Sequence, residues 1–133
     1  MAGIDDGVTV PQFRVLVMVY SRGPLNLGAV AAGLDVNPSN ASRTCDRLIK
    51  AGLLDRRESD LDRRHVTLTL TLAGRRLVER VTRQRRNAVA AVMGKMPAAQ
   101  RQNLSAALAA FADAAGEPEE DAAMVILLWP TTS

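Results

Sequence analysis

The chain has 133 residues, 47% of them apolar and 3% aromatic, which is enough for one core of mostly Leu, Val and Ala but not two, and suits packed helices. A single cysteine excludes an internal disulfide and a cysteine-based zinc site and fits a reducing cytoplasm; no signal-peptide succession opens the chain, and the longest apolar run, Ala122 to Trp129, is far short of the ~20 residues a bilayer takes. The net charge of +3 conceals an asymmetry: all 17 Lys and Arg fall before residue 102, whereas residues 102–133 hold 5 acids and no base, so the basic part suits a polyanion.

In chain order, Met1 to Thr9, with two glycines and two aspartates, is expected to be poorly ordered. Pro11 then opens a helix whose apolar surface comes from Phe13, Val15, Leu16, Val19 and Tyr20, and Ser21-Arg22-Gly23-Pro24 ends it. Leu27, Val30, Ala31 and Leu34 recur at i, i+3, i+4 and i+7, one face of a short second helix. Asn37-Pro38 starts a third, with Asn37 as N-cap and Pro38 at the first helical position, where its missing N–H costs nothing. Its apolar stripe is Ala41, Cys45, Leu48 and Ile49; its other side carries Ser39, Asn40, Ser42, Arg43, Asp46, Arg47 and Lys50, and Gly52 ends it.

After Gly52 the period changes. Leu53 to Arg57 reads as a short strand and His65 to Leu70 as an alternating one, with the charged stretch Glu58 to Arg64 as the tip of a hairpin. Thr71 caps a long helix to about Met93, with Leu77, Val78, Val81, Val89 and Val92 on one side and Arg75, Arg76, Arg80, Arg83, Arg85 and Arg86 on the others. These arginines either touch the backbone of a polyanion near the hairpin or form a solvated or intersubunit face. Ala98 to about Ala115 is an Ala-rich helix with Leu104, Leu108 and Phe111 at i, i+4 and i+7, the pattern of close helix packing or a dimer seam. Gly116 to Asp121 is an acidic breaker, and Ala122 to Trp129 is an apolar, strand-like tail expected to be covered by a partner subunit or by the domain itself.

Two short helices joined by a tight turn, the second loaded at its start with Ser, Asn, Thr and Arg, describe a helix-turn-helix, whose second helix enters the DNA major groove. Asn can pair with adenine and Arg with guanine, while Ser and Thr bond bases or phosphates. Taken alone, the pair could equally present its polar face to water. The hairpin that follows supplies context, because in that position it is the wing of a winged helix, and a wing arginine suits a narrow minor groove.

This order of elements resembles the multiple-antibiotic-resistance regulator (MarR) family of bacterial transcription factors. Val10-Pro-Gln-Phe-Arg-Val-Leu16 looks like its supporting helix. Asn37-Pro-Ser-Asn-Ala-Ser-Arg43, Asp46-Arg-Leu48 and Ala51-Gly-Leu-Leu54 look like its recognition helix and exit. Asp62-Arg-Arg64, Val66-Thr-Leu-Thr-Leu-Thr71 and Gly74 are similar to its wing signature. The resemblance implies a cytoplasmic homodimer on a pseudopalindromic DNA operator, most often a repressor. Ser39, Asn40, Ser42, Arg43 and Arg47 would face bases and phosphates. At the wing, Arg64 would enter the minor groove, with Asp62 holding its guanidinium, Arg63 as the substitute at the tip and His65 near phosphate or water. Few residues precede Pro11, where family members usually carry a dimerisation helix. Either the start is truncated or misassigned, or dimerisation passes mainly to the last two helices and the tail Met124 to Trp129.

The expected fold is therefore α+β and mostly helical: one domain, with a winged helix-turn-helix over residues 10–71 and dimerisation helices and tail over 72–133. No phosphate loop, carboxylate pair with a base, or nucleophile elbow is present, so no enzyme, cofactor or metal is expected. Cys45 sits on the apolar stripe and reads as an inert buried thiol ahead of a redox sensor. Phe13, Leu16 and Tyr20 could wall a pocket for a small aromatic ligand that releases DNA. The reading from another class is a winged-helix module that binds protein instead of DNA; strongly acidic or apolar groups on the polar side of the helix that begins at Pro38 would favour it, and Arg43, Arg47 and Lys50 there argue against it.

Overall fold

The computed structural model describes residues 3–4, 7–58 and 66–115. The chain divides into two compact units, Met1–Val78 and Glu79–Ser133. Among the described residues the first unit holds β1 (Gly3–Ile4), β2 (Val8–Thr9), α1 (Val10–Arg22), β3 (Leu25–Asn26), α2 (Leu27–Leu34), α3 (Pro38–Lys50), β4 (Leu54–Glu58), β5 (Val66–Leu70) and the start of α4 (Leu72–Met93). The second holds the rest of α4 and α5 (Ala98–Ala115).

The core of the first unit is the N-terminal helix and the two helices packed on it. Helix α1 begins with a capping box: the Gln12 N–H donates to Thr9 Oγ1 at 3.2 Å and the Thr9 N–H donates to Gln12 Oε1 at 3.0 Å, satisfying two of the donors that a helix start leaves orphaned. Phe13 and Val15 to Val19 are all buried, and α1 packs on α2, α3 and β5. Tyr20 departs from the expected apolar face. It is 40% exposed, and the Arg75 guanidinium lies over its ring at 5.3 Å from the centroid, a cation–π contact.

Two strand pairings differ from the sequence expectation. The start of the chain, expected to be poorly ordered, contains an antiparallel pair, Gly3 with Thr9 and Ile4 with Val8, and Val8 is buried in the core. Tertiary burial decides that segment, where local propensity is uninformative. Second, Leu25-Asn26, to which the sequence assigns no element, is an edge strand, so the sheet has three strands in the order β3-β5-β4. Leu25 pairs with Leu68 and Asn26 with Thr67. The wing hairpin itself has the expected pairing, from Leu54 with Leu70 to Glu58 with Val66.

The exit of α3 is tied to the start of α4. Thr71 Oγ1 donates to the Gly52 carbonyl at 2.7 Å and accepts from the Gly74 N–H at 3.0 Å. Gly52 has φ +76°, which glycine adopts without the cost that a Cβ imposes. A Cβ on Gly74 would run into the Leu53 carbonyl oxygen. That close approach is the physical reason for a glycine four residues beyond the end of β5.

In the second unit, Val81 is buried and Val89 half-buried, while Val92 is exposed. One expectation needs correction. Arg85, placed with the outward arginines, is only 8% exposed, because it lies four residues from Val81 and so shares its helical face. On α5, Leu104, Leu108 and Phe111 are exposed. The apolar tail at Ala122 to Trp129 lies outside the described residues.

Candidate nucleic-acid interface

Helix α3 is built to hold a polar face steady. Asn37 Oδ1 accepts from the Asn40 N–H at 2.8 Å, and Pro38 supplies the first helical residue. Ala41, Cys45 and Leu48 are buried on one side, which leaves Ser39, Asn40, Arg43, Asp46, Arg47 and Lys50 exposed on the other. Three cations against one acid make that face electropositive. The preceding helix is fixed in a similar way: the Ala29 N–H donates to Asn26 Oδ1 at 2.8 Å, and α2 ends on Asp35 with φ 55°, so the chain turns sharply into α3.

Within α3 the side chains are already organised. Arg43 Nη2 donates to Asn40 Oδ1 at 2.9 Å and its Nε to the Ser39 carbonyl at 3.4 Å. Thr44 Oγ1 donates to the Asn40 carbonyl at 3.0 Å, so that hydroxyl is engaged in its own helix, as Ser and Thr hydroxyls in helices commonly are. Ser42 is half-buried and stands apart from the exposed face.

Ser42 instead lines a cavity of about 480 Å³ with Asn26, Leu27, Cys45, Asp46, Ile49, Arg56, Val66 and Leu68 among its walls. Apolar side chains with a few convergent polar groups are the usual make-up of a small-molecule site. This is not the wall expected from the sequence. Phe13 and Leu16 are completely buried and Tyr20 lies under Arg75, and none of the three borders the cavity.

These features meet a consistent set of relatives. A family model described as the MarR family matches residues 6–65. The HTH-type transcriptional regulator YhbI of Bacillus subtilis (strain 168) is 32% identical over 97 residues, 73% of this chain and 63% of its own length. The crystal structure of RV1404 from Mycobacterium tuberculosis is 43% identical, with a TM-score of 0.79 over 86% of this chain and 78% of that one. The chain belongs to the MarR family. A further structure, that of Bordetella bronchiseptica BpsR, whose DNA binding is regulated by 6-hydroxynicotinic acid, is 28% identical, with a TM-score of 0.58 over 79% of this chain and 80% of that one.

In the winged-helix order of that family, α3 is the second helix of the helix-turn-helix and the β4–β5 hairpin is the wing. The wing residues Asp62, Arg63, Arg64 and His65 lie outside the described residues. Cys45 is buried on the inner side of α3. Burial, with a smaller push from Asp46 and an opposing pull from Arg56, raises its thiol to about 11, so it stays protonated and unreactive at neutral pH. Among the described residues no group of three or more His, Cys, Asp or Glu could hold a metal ion, and no helix is long and apolar enough to cross a membrane. Sequence reasoning missed Arg56 and Asn26 as cavity residues. The alternation of β4 carries the signal for Arg56, but Asn26 depends on a two-residue strand.

Proposed function

We propose that this MarR-family chain binds duplex DNA sequence-specifically as a homodimer and represses transcription by occupying a pseudopalindromic operator. The observation that carries this reading is the capped, internally tethered and electropositive outer face of α3 in a helix-turn-helix. In that role Arg43 and Arg47 meet bases and phosphates, Asn40 and Ser39 lie in the same first turns, and Arg64 of the wing reaches the minor groove. Leu104, Leu108 and Phe111 along α5 are the apolar stripe that a second copy would cover. A two-fold dimer would present two recognition helices to two half-sites.

The test is enrichment from a random duplex pool, followed by binding of the enriched fragment across salt concentration. Sequence enrichment with a steep fall of affinity in salt supports the reading. A protein that enriches nothing and binds all duplexes alike would refute it.

A second proposal concerns regulation. The cavity lies directly behind α3, and Arg56 beside Leu27, Ile49, Val66 and Leu68 suits a small aromatic acid, with the guanidinium on the carboxylate. An occupant there would press on the recognition helix. Melting with and without 6-hydroxynicotinic acid checks this: a raised Tm lost in Arg56→Ala agrees with it, and the same shift in both proteins contradicts it.

A further inference from the structure

We propose that Asn40 and Arg43 form one guanine-reading unit, in which Arg43 makes the base contact and Asn40 is a positioning residue that aims its guanidinium. The inference rests on the DNA-binding reading and deepens it. Both side chains are exposed at the start of α3, where bases are met, and their types would allow two independent contacts, Asn to adenine and Arg to guanine.

The hydrogen bonds favour one contact over two. Asn40 is held at both backbone ends: its N–H donates to Asn37 Oδ1 and its carbonyl accepts from Thr44 Oγ1. Its side-chain oxygen takes Arg43 Nη2 at 2.9 Å, while Arg43 Nε reaches the Ser39 carbonyl at 3.4 Å. Those two bonds occupy the Nε–Nη2 edge of the planar guanidinium. The end edge, with parallel N–H groups on Nη1 and Nη2, is the fork that matches guanine O6 and N7. Adenine offers a donor where guanine has O6, and a donor-only group cannot satisfy it. A bidentate Asn40–adenine contact would need the same Oδ1 that already accepts a charge-assisted bond. Tethering Arg43 before DNA arrives also removes part of the ordering cost of a long side chain.

The experiment uses the full chain. The operator is first selected from random duplexes with wild type. Binding of wild type, Asn40→Ala, Arg43→Ala, the double variant and Asn40→Asp is then measured on that operator and on its single-base-pair variants. Arg43→Ala should lose preference for a G·C pair at one position per half-site, by ~5- to ~100-fold. Asn40→Ala should lose part of the preference at that same position and change nothing further when Arg43 is already alanine. Asn40→Asp keeps the acceptor but lacks the amide donor, so it should retain the G·C preference. Relaxation at a different position in Asn40→Ala, with additive effects in the double variant, would overturn the unit and leave DNA binding intact. So would loss of the preference in Asn40→Asp with its fold preserved by circular dichroism. A wild type that selects no sequence would overturn the DNA-binding reading and the unit with it.

Discussion

Helix α3 buries Ala41, Cys45 and Leu48 within its own unit and turns cations and amides outward, whereas α5 leaves Leu104, Leu108 and Phe111 exposed, Phe111 at 57%. Both helices have an apolar stripe at helical spacing. In α3 the stripe is internal and the outward face is the working surface. In α5 the outward face carries the apolar side chains, which suits contact with a second copy. Substitution should therefore act on folding in one helix and on association in the other.

The largest effect is expected at the inner face of α3. Leu48 is 1% exposed, so Leu48→Ala should cost ~2–5 kcal/mol in denaturant unfolding. Leu108→Ala, at concentrations where the chain is monomeric, should change stability by less than ~0.5 kcal/mol. Equal costs would erase the contrast. Next comes Phe111→Asp, which places a charge in the proposed seam. It should convert a dimer to a monomer in sizing by removing ~2 kcal/mol or more of association energy, and an unchanged dimer would move the seam elsewhere. Asn37→Ala should cost ~1 kcal/mol through loss of the N-cap of α3, measured by thermal melting.

The smallest perturbation is at Cys45. With the thiol raised to about 11 from 9.0, the thiolate at neutral pH is ~100-fold scarcer than for an unshifted cysteine, and alkylation of the native protein should be slower in proportion. The folded state holds this proton more tightly than the unfolded chain. The stabilisation is therefore complete below pH 9 and is lost as pH rises toward 11. Labelling should accelerate through that window, and fast labelling at pH 7 would contradict the burial of Cys45.

The helices were legible because their caps and stripes are local. Asn37-Pro38, the i+4 and i+7 spacing of Ala41, Cys45 and Leu48, and Thr71 ahead of α4 each act within a few residues. What escaped depends on distant partners. The strand at Leu25-Asn26 exists only because β5 lies beside it, and the pairing of Gly3-Ile4 with Val8-Thr9 goes with burial of Val8. Arg85 was misread because residue type outweighed its position on the stripe of α4. At the site, the outward residues of α3 could be named from the sequence. That Ser42 belongs to a cavity and that Asn40 holds Arg43 could not, since both follow from side-chain geometry.

The most direct test of the central claim is the affinity of wild type and Arg43→Ala for the enriched operator and for random duplex, followed across salt concentration. The account predicts a wild-type preference for the operator that falls by ~1–3 kcal/mol in Arg43→Ala, with the salt slope kept or reduced by no more than ~1. Unchanged operator preference in the variant would contradict base reading by Arg43 from the outer face of α3.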